Sequence, residues 1–269
     1  MNPQSSANNS SENDLIEKQD RELFNRIAAE YARKDTVGST SRARKYQLMC
    51  AVGPAFKKQG KMGLLVEIAC GVGASAKYLR GWYDRYIGID YSDKLIEAAR
   101  IFNKSNPHAE FITANIKDAD IGCDKADMIL AVGALHHMID ISKVMASLKK
   151  IARPGALFVA IEPQRGNPIV QFLRQVRTKI DRSYSEKQLY FSRQELINMM
   201  SDNGMTDIET EYQGYFSPPL AQVILRPQLI FIPMSGAAIL IDKAVDKLLP
   251  GFLKIFSWNI VLRCQFPAK

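Results

Sequence analysis

The ten residues 66–75, VEIACGVGAS, constrain the fold of this chain more than any other stretch. The apolar run over 64–69 predicts a buried strand. Cys70-Gly71-Val72-Gly73-Ala74 then predicts a small-residue turn, and a short helical segment runs toward Leu79 and stops at Gly81. Glycine in such a turn takes positive φ and lets a ligand approach bare backbone. The helix that follows opens with N–H groups that suit an acceptor or an anion. Together these features describe a nucleotide-like ligand at the carboxyl end of a first strand. Alone, E-x-x-C-G-x-G is a weak signal that a plain strand-to-helix turn could also explain, so the rest of the chain has to decide.

Further strands are predicted at 86–90 (YIGID), 109–113, 126–132 (ADMILAV) and 157–161. Helices are predicted between them. Ser92 is placed as an N-cap before Leu95, Ala98, Ala99 and Phe102, which share one face. Val144, Leu148 and Ile151 line another helix, expected to end at Arg153-Pro154-Gly155. This alternation implies parallel βαβ units with ligands at the strands' carboxyl ends. Later, 192–204 predicts a helix capped by Ser192 with Glu195 three residues on. Residues 207–215 alternate like a strand, and 258–266 return as a final strand.

The 269 residues suffice for one full-sized α/β domain with additions. We read 1–13 as a disordered polar tail, 14–60 as a helical cap, and 61–269 as the main domain with insertions near 165–190 and 216–256. Asp14 with Glu17 resembles a helix start. Leu23, Phe24, Ile27, Ala28 and Tyr31 recur at helical spacing. Residues 34–44, KDTVGSTSRAR, read as a mobile basic loop, and 45–56 as a second helix stopped around Gly60. Over 167–182, Ile169, Phe172, Leu173, Val176 and Ile180 share a face beside Arg174, Arg177, Lys179 and Arg182. Within 216–256, the run 229–241 is too short and too broken by Pro and Gly to span a membrane. An amphipathic stretch, 239–256, follows it. The net charge of +8 suits an anionic surface or an ordinary basic protein. Cys50, Cys70, Cys123 and Cys264 are far apart in sequence and form no C-x-x-C, so neither a zinc site nor a disulfide framework is expected. With no signal-peptide pattern at the N-terminus, the expected location is cytoplasmic, with the option of membrane contact.

From 64 to 163 the chain resembles the class I S-adenosylmethionine-dependent methyltransferases. VEIACGVGAS matches the family's glycine-rich first motif, and IGIDYS the acidic end of its second strand. FITANI matches the third motif, while DMILAVGALHHMID and ARPGALFVAIEP match the fourth and fifth. The resemblance implies a Rossmann-like α/β sheet, mostly parallel with one antiparallel strand at the end and helices on both faces. It also implies S-adenosyl-L-methionine as cofactor and no metal. A dinucleotide fold uses the same carboxylate geometry at Asp90, and Ala76 is a tolerated variant of that fold's third glycine. The other motifs disfavour it.

By that resemblance, Asp90 accepts hydrogen bonds from vicinal ribose hydroxyls. Gly71 and Gly73 admit the cofactor's amino-acid end, and Glu67 supports its ammonium. Asn115 stands where relatives often have Asp beside the adenine amino group. Tyr31 closes over the cofactor, and Tyr91, Ile116 and Val132 complete the expected set. His137, His136 and Glu162 are candidate general bases at the acceptor side, although such a histidine pair is also often structural.

FNRIAAEY and LHHM resemble the quinone-biosynthesis and small-molecule branch, without its distinctive central motifs. The apolar segments at 167–182 and 216–256 point to a small, lipophilic or lipid-linked acceptor and to peripheral membrane contact. An RNA or protein substrate is the alternative. Nucleic acid is disfavoured because the basic residues alternate with Leu, Ile and Phe. A non-catalytic cofactor-binding assembly protein is the third reading. The sequence gives no oligomeric state.

Overall fold

Strand β1 (Met62–Ile68) buries every residue but Gly63, as a strand covered on both faces must. The computed structural model describes residues 3–118, 125–172 and 190–268. Around β1 stand β2 (Tyr83–Asp90), β3 (Ala109–Thr113), β4 (Ala126–Val132), β5 (Ala152–Pro163), β6 (Thr206–Gln213) and β7 (Asn259–Gln265). The sheet order is β3-β2-β1-β4-β5-β7-β6. β1 to β5 are mutually parallel, and β7 runs antiparallel between β5 and β6. The expected fold class therefore holds. The order reverses beside β1, between β1 and β4, which opens a crevice at the carboxyl ends of both.

Alternate residues of each strand feed two cores. On one face Val66, Ile68, Ile129 and Phe158 pack with Val144 and Leu148 of α5 (Ile141–Ile151) and Leu196 of α6 (Arg193–Asp202). On the other, Leu65, Tyr86, Leu130 and Val159 pack with Leu48, Ala51 and Val52 of α2 (Gly38–Gln59) and Ile96 of α4 (Asp93–Phe102). Ser92 caps α4 through Leu95 N–H, and Ser192 with Glu195 forms a capping box on α6, both as expected.

Several expectations need correction. Helix α1 (Pro3–Thr36) starts within the polar stretch expected to be a disordered tail, upstream of the helix start expected at position 14. Once the amphipathic part of a helix is docked, further turns add without a new nucleus. The basic loop expected at 34–44 is absent. One extended residue, Val37, separates α1 from α2. Gln228 Oε1 accepts Ser39 N–H at 3.1 Å, so a distant side chain caps the first turn of α2. No local signal announces that cap. Helix α2, expected within a separate cap, packs its Leu48, Ala51 and Val52 into the same core as Leu65, Leu130 and Val159 of the sheet. Helix α5 stops at Ile151, and Arg153-Pro154-Gly155 lies inside β5 beside a register shift against β4.

The block between β6 and β7 holds α7 (Ser217–Gln222), α8 (Gln228–Leu248) and a 3-10 segment, Gly251–Phe256. Helix α8 is continuous for 21 residues despite Pro233 and Gly236. Its inner face is pinned by polar bonds. Ser235 Oγ donates to Ser39 O at 2.8 Å, and buried Asp242 accepts the N–H groups of Tyr215, Phe216 and Ser217. These anchors offset the one backbone bond lost at proline. Among the described residues, α8 alone is long and apolar enough to cross a membrane by length and composition. Only the first turns of the expected 167–182 segment are described; Leu173, Val176, Ile180 and its four basic residues lie outside the described residues.

Candidate active site

The turn after β1 is built as the sequence requires. Ala69, Gly71 and Gly73 take φ of 49°, 55° and 65°, and α3 (Ala74–Tyr78) follows. Asp90, at the last position of β2, holds this turn. Its Oδ2 accepts Gly71 N–H and its Oδ1 accepts Ser92 N–H, each at 2.9 Å. Burial pushes the Asp90 carboxyl up to about 6, against those two backbone donors.

A cavity of about 530 Å³ opens at the strands' carboxyl ends, a size suited to a small-molecule ligand. Gly71, Asp90, Tyr91, Asn115, Ile116 and Val132 line it, together with Tyr31, His136 and His137. Helix α1 roofs it with Phe24, Ile27 and Tyr31. Apolar packing of Ala28 against Val72 and Leu95 seats the roof. Polar pairs fix its register. Tyr91 OH donates to Asp20 at 2.7 Å, Ser92 Oγ donates to Asn25 at 2.6 Å, and Lys117 pairs with Glu17.

Three predicted residues are not on the cavity wall. Gly73 is inside the turn, where an added Cβ would lie 2.3 Å from the Phe111 ring. Glu67 is buried, with Ser75 Oγ donating to it at 2.7 Å and Tyr86 OH bonded to its other oxygen. Its carboxyl is pushed up to about 8 by burial, against those hydrogen bonds. It meets the cavity only through Ser75, which does line it. Glu162 is fully buried. It accepts Ala134 N–H at 2.9 Å and Leu135 N–H at 2.8 Å, and lies 2.7 Å from His136 Nδ1. It therefore holds the Leu135–His137 turn and orients His136; as a base acting directly on an acceptor it is corrected to a positioning residue. His137 Nδ1 lies 3.3 Å from Asp20, and its ring meets Phe24 edge-on at 5.3 Å. That makes it part of the roof's fastening. Asn115 is turned to its own loop: its Oδ1 accepts Lys117 N–H at 3.1 Å, and its Nδ2 donates to Glu17 at 3.2 Å.

Sequence reasoning missed a charged pair on the wall. Arg44 Nη1 donates to both oxygens of Asp35 at 3.2 Å, and Arg44 Nε donates to Ala221 O at 3.0 Å. The guanidinium lies 5.4 Å from the Tyr31 ring centroid, within cation–π range. Burial pushes Asp35 up, with Arg44 opposing. Pro163, Val170, Pro218, Val223 and Trp258 add apolar surface to the lining, and the Tyr190 ring lies 6.0 Å from the His136 ring.

These features fit S-adenosylmethionine. The bare backbone at Gly71 faces the cavity, and Asp90 has lone pairs left beyond its two backbone donors. Tyr31 and Arg44 border the same end.

Residues 66–160 match the family model of the methyltransferase domain. A demethylmenaquinone methyltransferase of Symbiobacterium thermophilum is 23% identical over 163 residues, 57% of this chain and 62% of that protein. An uncharacterized chloroplastic methyltransferase of Arabidopsis thaliana is 24% identical over 172 residues, 60% of this chain and 48% of that protein. The chain thus spans less than two thirds of the length of either curated relative. Among solved structures, a Thermotoga maritima S-adenosylmethionine-dependent methyltransferase, possibly a histamine N-methyltransferase, has a TM-score of 0.62 at 17% identity, covering 92% of this chain and 99% of that one. Magnesium protoporphyrin IX methyltransferase of Synechocystis, with bound S-adenosylhomocysteine, has a TM-score of 0.61 at 13% identity, covering 93% and 99%. The domain match begins in β1, ends in β5 and encloses the glycine turn, Asp90 and His136, so the stretch that resembles the methyltransferase domain is the one that builds this part of the cavity.

Proposed function

We propose that this chain is an S-adenosylmethionine-dependent methyltransferase whose acceptor is a small, lipophilic molecule. The observation that carries the reading is the cavity itself: Asp90 and the Gly71 turn share it with His136 and with the apolar side chains of Val170, Pro218, Val223 and Trp258. When bound, the cofactor supplies a methyl group on a sulfonium, already electrophilic. The chain's own residues then have three tasks. Asp90, fixed by Gly71 and Ser92, accepts from vicinal hydroxyls. Phe24, Ile27 and Tyr31 cover the cavity and exclude water, which aligns the reactants and prevents hydrolysis. His136, oriented through Nδ1 by Glu162, takes the proton that a hydroxyl acceptor loses on methylation. Glu162 stabilises the imidazolium so formed.

The likeness to demethylmenaquinone methyltransferases over about half the chain favours a quinone-like acceptor within that class. Incubating the protein with methyl-labelled cofactor and fractionated cell extract tests the reading. Label in the organic phase supports it. Label in RNA or protein replaces it with the macromolecular alternative, and no label in any fraction favours a cofactor-binding assembly role.

A further inference from the structure

Helix α8 turns an apolar face to solvent. Its inner face, with Ser235, Ala238, Ile239 and Asp242, is buried. At helical spacing on the opposite side stand Leu229 (87% exposed), Ile230, Met234, Leu240 (66% exposed), Ile241 and Leu248 (81% exposed). A helix on a soluble surface normally puts charged residues there. Beyond α8, Phe252 and Phe256 extend the exposed apolar surface. Apolar area of this extent marks a contact with something else.

The charges say what. The basic residues Lys243 and Lys247 are exposed in the last two turns of α8, and Lys254 stands between Phe252 and Phe256. The two acidic residues of α8 are elsewhere: Asp242 is fully buried and Asp246 is partly buried. We propose that this face docks on a bilayer surface containing anionic lipid, with α8 lying in the interfacial plane. Leu, Ile and Phe side chains enter the acyl boundary while the lysines remain at headgroup phosphates. A crossing orientation conflicts with the bonds on the inner face. Gln228 and Ser235 hold the first turn of α2, and Asp242 holds the start of α7. A second copy docked face to face would bring lysine borders of like sign together, whereas phosphate headgroups complement them.

The face also bears on the cavity. Exposed Ile169 and Phe172 flank Val170, and Phe256 precedes Trp258 by two residues; Val170 and Trp258 line the cavity. A lipophilic acceptor would then reach the site from the membrane, a step that rests on the proposed function; the docking itself does not.

Co-sedimentation of the full chain with vesicles tests it, comparing phosphatidylcholine alone with phosphatidylcholine and phosphatidylglycerol mixed. The chain should pellet with the anionic vesicles, more at low salt than at high salt. Leu240→Gln and Leu248→Gln, both on the open face, should each weaken binding on the order of tenfold with an unchanged thermal midpoint. Lys247→Gln should reduce the preference for anionic lipid. No association of the wild-type chain at low salt overturns the proposal. So does equal binding by both leucine variants, or a dimer in sedimentation velocity that they dissolve. Docking without label in any organic product removes only the acceptor reading; a labelled lipophilic product without docking removes only this one.

Discussion

Glu162 Oε2 lies 2.7 Å from His136 Nδ1, while the carboxylate also accepts two successive backbone N–H groups from Ala134 and Leu135. One buried carboxylate thus fixes both the turn and the tautomer of the ring it carries. His136→Asn should lower kcat by about 10²–10⁴-fold if the acceptor loses a proton, with cofactor Kd unchanged. Glu162→Gln should cost roughly 1–3 kcal/mol of stability, since one donor now faces another. It should also abolish the downfield Nδ1–H proton resonance of His136. Unaltered kcat in His136→Asn, measured on the identified acceptor, removes the base assignment.

Asp90 makes cofactor binding depend on pH. Its carboxyl titrates near 6 in the free fold rather than at 3.8, because burial outweighs the N–H groups of Ser92 and Gly71. Hydroxyl donors favour the ionised form, so binding should release a proton near pH 6. Affinity should fall as pH drops below 6, approaching tenfold per unit. Calorimetry in buffers of different ionisation enthalpy reads both effects. Asp90→Ala should weaken binding by ~1–3 kcal/mol and remove the proton release; a pH-independent affinity from 5 to 7 would contradict the ribose role.

Glu67 adds a stability effect of the opposite sign. Its carboxyl is raised to about 8 in the fold. The folded chain therefore binds this proton at pH values where the unfolded chain has lost it. The stabilisation is complete below the unfolded value near 4.5 and is lost as pH rises through 8. Urea denaturation should show stability falling between about pH 4.5 and 8, and Glu67→Gln should flatten that slope. An unchanged slope in the variant would place the titration elsewhere.

Much of this was legible in the sequence, for a physical reason. β4 at 126–132, Ser92 and the capping box at Ser192 are local patterns, and each stands where the sequence puts it. Asp90 was also legible, since a strand's end and the next helix's cap fix its place. What was not legible came from contacts distant in sequence. The first turn of α2 is capped by Gln228, 189 residues away, so KDTVGSTSRAR read as a loop. Arg44 found Asp35 across the break at Val37, where basic composition suggested only solvent. Glu162 carried the right residue type at the right strand end, but backbone N–H groups had already claimed it.

The Asp35–Arg44 pair makes the third stability prediction. Asp35 is 4% exposed, and Arg44 also ties α2 to Ala221 in α7. Arg44→Met should destabilise by about 3–5 kcal/mol, because it leaves a buried carboxyl without its partner. Arg44→Met with Asp35→Asn should recover part of that loss. Urea midpoints of the two single variants and the double variant give the coupling; strict additivity would show that the pair does not interact.

Gly71 and Gly73 both take positive φ, yet replacing them should have different consequences. A Cβ on Gly73 would sit 2.3 Å from Phe111 Cε1 and 2.9 Å from Asn103 Nδ2, both packed beneath the turn. Gly73→Ala should therefore cost at least about 2–4 kcal/mol, combining the left-handed conformation with overpacking. A Cβ on Gly71 meets only the Tyr31 ring, at 3.4 Å, an ordinary contact. Gly71→Ala should cost no more than about 1–2 kcal/mol of stability. Its methyl would instead occupy the cavity wall between the turn and the roof, so cofactor affinity should fall while the fold persists. Urea denaturation and calorimetry on the two variants separate the effects. A Gly71→Ala chain that binds cofactor as tightly as wild type would show that the ligand does not approach this backbone.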